Sequence, residues 1–146
     1  MKTAAIIAEY NPFHRGHAWQ LDAIRQTLGQ DCAVMAAMSG SFTQRGEPAI
    51  LDKWSRTKAA LKSGIDLVLE LPFAYASASA ECFATGGVRL IQATGLDCHL
   101  VFGSECGEIE PLRQLSGLLA DEPAGFRDLL HRFLDQGESF PAARQA

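Results

Sequence analysis

No stretch of this 146-residue sequence stays apolar for the ~18 residues a membrane-spanning helix needs. None of the four cysteines, Cys32, Cys82, Cys98 and Cys106, sits in a C-x-x-C pair. The grouping Cys98, His99 and Cys106 fits no common zinc spacing. Basic surplus is also missing: the formal net charge is −4, so any nucleic-acid contact has to use a local patch. Internal repeats, low-complexity tracts and linkers are absent. The opening residues, MKTAAIIAEYNPF, have one Lys before a short apolar stretch that runs directly into Glu9 and Asn11. That is no signal-peptide core, and the expected location is the cytoplasm, with thiols reduced and no membrane partner.

What is present is ordinary globular composition: 47% apolar, 21% charged, mean hydropathy +0.00. The length suits one domain, read as residues 1–146. Short apolar runs alternate with helical periodicity. Strands are expected at residues 2–8, 33–38, 65–71 and 97–102. Helices are expected at 16–28, 53–63, 78–94, 111–119 and 126–134. Within them, Trp19, Trp54 and Leu61 are placed on inward faces. Ala80, Ala84, Val88 and Ile91 form one stripe, and Phe126, Leu129, Leu130, Phe133 and Leu134 another. Near-continuous apolar strands separated by helices imply an α/β fold, a Rossmann-like doubly wound parallel sheet of four to five strands. In strand order 3-2-1-4, ligands bind beyond the strands' carboxyl ends. That selects residues 9–17, 39–47 and 103–107. Ser139-Phe140-Pro141 reads as a helix start with five residues after it, so the domain is expected to be incomplete at its C-terminal end.

The chemistry-bearing segment follows the first strand: Glu9-Tyr10-Asn11-Pro12-Phe13-His14-Arg15-Gly16-His17. Its core, His14-x-Gly16-His17, falls at a strand-to-helix turn, where free N–H groups and the helix dipole attract phosphate. Gly16 removes a Cβ that would obstruct a nucleotide. His14 and His17, three apart, share one side of a helical turn and can stabilise charge developing on an α-phosphate during adenylyl transfer. Arg45, in the polar connection 41–51, and Lys53, Arg56, Lys58 and Lys62, on the following helix, form a candidate basic surface for phosphate or RNA. Glu9, Asp66, Glu70 and Glu81 show no paired spacing that marks a metal site.

The stretches IIAEYNPFHRGH, MSGSFTQRGEPAILDKWSRTKAALKSGIDLVLELPFAYASASAECFATGG and VFGSE resemble the tRNA(Met) cytidine acetate ligase family, in its N-terminal part. That family belongs to the H-x-G-H nucleotidyltransferase superfamily. The resemblance covers about residues 5–105. It implies an enzyme that joins acetate to ATP, giving acetyl-adenylate and pyrophosphate, and passes the acetyl group to N4 of the wobble cytidine of elongator tRNA(Met). It implies ATP contacts from Ile7, Ala8, Glu9, Tyr10, Asn11, Pro12, Phe13, His14, Gly16, His17, Gln20 and Gly103. ATP is then a substrate, with Mg²⁺ arriving alongside it. The H-x-G-H turn alone also fits a general adenylyl- or cytidylyltransferase acting on a small phosphorylated metabolite, or a non-catalytic nucleotide-binding fragment.

Overall fold

The structure, a computed structural model, describes residues 1–145. The chain divides into two compact units, Met1–Gly103 and Ser104–Ala146. In the first, strands β1 (Thr3–Ala8), β2 (Ala33–Ser39), β3 (Leu67–Leu71) and β4 (His99–Leu100) form one parallel sheet in the order β3-β2-β1-β4. Between them run α1 (Arg15–Leu28), α2 (Lys53–Lys62), the single turn α3 (Phe73–Ala76) and α4 (Ala80–Ala93). The α/β class is that read from the sequence, and the strand order is the one under which the ends of β1 and β4 are neighbours.

Strand alternation explains the two-sided core. Ala4, Ile6, Val34, Ala36 and Met38 face one side and pack with Leu21 and Ile24 of α1 and Ala60 of α2. Ala5, Met35 and Ala37 face the other and pack with Ile91 of α4. The second layer is thin because α4 turns a pair of glycines inward. A Cβ at Gly87 would sit 2.6 Å from Ile7 Cδ1, and one at Gly86 would overlap the Tyr75 ring. The buried face of α4 is therefore Gly86, Gly87 and Ile91, whereas Ala80 and Ala84 of the expected stripe are exposed.

Three other packing expectations are corrected. Trp19 is 72% exposed and Trp54 73%, and Leu61 is also exposed. In α1 the inward positions are Leu21 and Ile24, with Leu28 half-buried, so Trp19 lies about 200° round the helix from Leu21. In α2 the inward positions are Arg56 and Ala60, four apart, which turns Trp54 outward. The fourth strand is also shorter than the expected 97–102: ladder pairing covers His99 and Leu100, and the Val101 N–H then reaches Ala5 O at 2.8 Å. Helix α3 lies in a stretch without predicted structure.

The second unit consists of α5 (Ile109–Asp121), α6 (Ala124–Asp135) and α7 (Phe140–Gln145). Leu130 is the buried residue of α6; Phe126, Phe133 and Leu134 are half-buried and Leu129 is exposed. The helix start expected at residues 139–141 is α7, where Ala143 N–H donates to Ser139 O at 2.9 Å.

Candidate functional site

At the carboxyl end of β1 the chain turns through Tyr10, which is buried with φ 47°, and a cis Asn11–Pro12 bond into the N-terminus of α1. His14 is the N-cap of that helix. Its Nδ1 accepts from the Gly16 N–H at 3.1 Å, and the His14 N–H donates to His17 Nδ1 at 3.2 Å. The two imidazoles thus replace the usual Ser/Thr and Glu/Gln of a capping box. They stack face to face, 3.8 Å between centroids. With both Nδ1 atoms accepting, each neutral ring carries its proton on Nε2.

Gly16 has a second role that spacing alone does not disclose. A Cβ there would lie 3.0 Å from His14 Cε1 and 3.2 Å from its Nδ1, so the glycine makes room for the capping ring. Tyr10 packs edge-on to His17 at 4.8 Å, and Phe13 packs against both. Burial, and then the neighbouring His14, lower the His17 pKa from its ordinary 6.5, favouring the neutral donor form. Burial also pushes the Tyr10 hydroxyl above its ordinary range.

A cavity of about 460 Å³ opens over this turn, between the ends of β1 and β4. Its wall gathers ten of the candidate nucleotide residues: Ile7, Ala8, Glu9, Tyr10, Asn11, Pro12, His14, His17, Gln20 and Gly103. Phe13 and Gly16 stand behind it, acting through the rings they support. Ile6, Val101 and Phe102 complete the wall and went unnoticed in the sequence. The end of an apolar strand next to a glycine was the available signal. The volume is that of an ordinary small-ligand site.

The loop after β2 closes over the same edge of the sheet. Thr43 N–H donates to Glu47 O and Ala49 N–H to Ser41 O, folding it into a hairpin-like excursion. Its Gln44 N–H donates to Glu9 Oε1 at 2.6 Å and its Ile50 N–H to Asn11 Oδ1 at 2.7 Å. Two wall residues of the cavity are thereby fixed by the loop. Asp66, another acidic candidate, accepts from Val34 N–H at 2.8 Å and serves the sheet.

Arg56 requires a correction. It is 1% exposed, and its guanidinium donates to Leu51 O at 3.0 Å, Glu9 O at 2.6 Å, Ser39 O at 3.1 Å and Gly40 O. Carbonyls from the ends of two strands and from the loop take up its N–H groups, so it joins backbone segments and offers nothing to an outside phosphate. Lys53 is held by Glu70 at 2.7 Å. Arg45, Lys58 and Lys62 are exposed.

A strand–turn–helix with two imidazole donors at a helix N-terminus, beneath a cavity on the carboxyl edge of a parallel sheet, defines a protein of the nucleotidyltransferase class. The chain belongs to the HIGH Nucleotidyl Transferase family, whose family profile matches residues 1–146. It is 49% identical over 146 residues to a tRNA(Met) cytidine acetate ligase of Syntrophomonas wolfei, covering 100% of this chain and 35% of that protein. It is 50% identical over 145 residues to the ligase of the same name from Caldicellulosiruptor saccharolyticus, covering 99% and 36%. The crystal structure of Thermotoga maritima TmcAL bound with alpha-thio ATP superposes with a TM-score of 0.91 at 44% identity, covering 99% of this chain and 34% of that one. The chain thus spans about a third of the length of the curated relatives it matches. Among the described residues, no helix is long and apolar enough to cross a membrane.

Proposed function

We propose that the Met1–Gly103 unit is the ATP-binding part of an acetate–tRNA ligase acting in the cytoplasm. It forms acetyl-adenylate from acetate and ATP, and the acetyl group passes to N4 of the wobble cytidine of elongator tRNA(Met). The observation that carries this reading is the paired imidazole cap: two Nε2–H donors on the wall of a nucleotide-sized cavity, at the positive end of α1. The 44% identity to a protein solved with an ATP analogue supports the choice of nucleotide.

In this reading the phosphates lie over the start of α1 and the adenine lies towards Gly103. Acetate is ionised at pH 7, so its carboxylate oxygen attacks the α-phosphorus without a general base. The P–O bond to the departing pyrophosphate breaks. Negative charge building on the phosphoryl oxygens is met by the Nε2–H groups of His14 and His17, already oriented by their capping hydrogen bonds. Mg²⁺ accompanies the polyphosphate. Glu9 is the cavity's carboxylate among the described lining residues, and its Oε1 already accepts from Gln44.

Acetate-dependent exchange of labelled pyrophosphate into ATP tests the reading. Exchange that needs a phosphorylated metabolite instead of acetate would replace it with a general nucleotidyltransferase. ATP binding without any exchange would leave a binding unit only.

A further inference from the structure

The cavity over the histidine turn has two unlike ends. Towards the loop after β2 its wall is polar: Glu9 and Asn11 stand there, each already accepting from a loop N–H. Towards β4 its wall is Val101, Phe102 and Gly103. We propose that Phe102 is the side chain on which the base of the bound nucleotide stacks, with the base lying against the Gly103 backbone. The proposal rests on the ATP reading above and names the residue that holds the base, one outside the H-x-G-H turn.

Phe102 is 55% exposed, although Val101, one residue before it, packs into the core with α1 and α2. Phe102 belongs to neither buried cluster, and among the described residues no aromatic ring pairs with it. A single exposed apolar side chain on a convex surface needs no explanation. This one lines a concave site, where a flat heterocycle over the ring takes apolar area out of water from both partners.

Gly103 supplies an independent observation. Its φ is not positive, and a Cβ there would meet no atom within 4 Å. Gly16 and Gly87 are glycines because a neighbouring side chain fills the place of the Cβ. Neither packing nor backbone conformation calls for glycine at position 103. A flat group laid against the backbone does, since a Cβ would hold it away. The position also suits the rest of the nucleotide. β1 and β4 are neighbours, about 5 Å apart, so phosphates over the start of α1 and a base at the end of β4 lie within the reach of one nucleotide.

The test is titration of ATP into the wild-type chain, Phe102→Ala and Phe102→Trp, read by calorimetry and by proton NMR of the adenine ring. Inorganic tripolyphosphate, which carries no base, is the comparison probe. Phe102→Ala is expected to weaken ATP about tenfold, the scale of one base–aromatic stack, while tripolyphosphate binds as it does to the wild type. Phe102→Trp is expected to bind ATP at least as tightly as the wild type. In the wild-type complex the adenine ring protons shift upfield under the phenyl face, and Phe102→Ala abolishes that shift. Equal ATP affinity in the wild type and Phe102→Ala, or no upfield shift in the wild type, overturns the proposal. So does a loss shared by tripolyphosphate, which would make Phe102 a support of the turn and not of the base. A Phe102→Trp variant as weak as Phe102→Ala overturns it as well. Absence of acetate-dependent exchange in the wild type counts instead against the ligase reading, and the binding results decide the stack without it.

Discussion

The histidine turn and helix α2 both bring basic side chains, three residues apart, to the carboxyl edge of the sheet, yet they use them in opposite ways. At the turn, backbone hydrogen bonds occupy Nδ1 of His14 and His17, both of which line the cavity, and leave Nε2 outside the cap. In α2, backbone carbonyls of Glu9, Ser39, Gly40 and Leu51 take four of the five N–H donors of the buried Arg56 guanidinium. The first arrangement leaves one nitrogen of each ring outside the backbone bonds; the second consumes its donors to hold strand ends together. The difference lies in chemistry as much as in position. An imidazole has two nitrogens that can take separate tasks, whereas five guanidinium donors around one carbon suit convergence of several carbonyls.

The comparison breaks first, and most severely, at Arg56. Arg56→Ala leaves four carbonyls without their partner and is expected to cost about 3–5 kcal/mol, read by urea denaturation. Arg56→Lys is expected to restore little, since one ammonium cannot span the same acceptors. A cost below about 1 kcal/mol would mean that the strand ends do not depend on it. Next comes His17→Ala. Acetate-dependent exchange should drop about 10²-fold, while ATP affinity changes much less, because a preorganised donor helps most as charge develops. Unchanged turnover would remove His17 from the chemistry. Gly16→Ala sharpens the contrast further. The added methyl presses on His14 but favours the helix, so stability should stay within about 1 kcal/mol while exchange falls. A substantial stability loss with intact exchange would reverse that assignment.

Acidification gives a smaller effect with a defined sign. The folded-state pKa of His17 lies below its ordinary 6.5, so the folded chain prefers the neutral ring. Its contribution to stability is fully present above about pH 6.5 and is lost as pH falls through the window below that value. Protonation at Nδ1 also removes the acceptor for the His14 N–H. An NMR titration should therefore find His17 charging below pH 6.5, with the start of α1 loosening in step. Charging above 6.5 would contradict the packing. Smallest of all, Lys58→Gln with Lys62→Gln should leave stability nearly unchanged, both being exposed, as urea denaturation would read; a loss above about 1 kcal/mol would contradict their exposure.

The sheet was legible because its strands are short, apolar and bounded, and because parallel pairing of such strands admits few orders. The His14–His17 turn was legible because spacing and position after β1 coincide. Arg56 was misread because helical spacing identifies neighbours but does not say which face points inward. A long charged side chain on the buried face of a helix violates the usual hydropathy pattern, and only the carbonyls it meets account for it. Trp54 was misread with it, since choosing the wrong inward face moves both at once. On α4 the stripe of Ala80, Ala84, Val88 and Ile91 gave a plausible face, but the inward side is the one that comes closest to β1, and there Gly87 meets Ile7. A smaller cavity of about 200 Å³ beyond β2 and β3 lay beyond sequence reasoning because Gly40, Glu70 and Phe73 come from three separate segments that only the folded sheet edge assembles.

The capping role of the two histidines carries an evolutionary consequence. In the reading proposed above, selection for starting α1 and selection for catalysis act on the same two positions. A lineage released from the catalytic demand can drift to Ser or Asn at position 14 and Glu or Gln at position 17 without losing the helix, because those residues write the ordinary capping box. Its descendants would keep the sheet and the cavity while the imidazoles vanish. Inactive paralogues of this fold should therefore be recognisable by a conserved helix start built from the wrong side chains, and the engineered pair His14→Ser with His17→Gln reproduces that endpoint in one step.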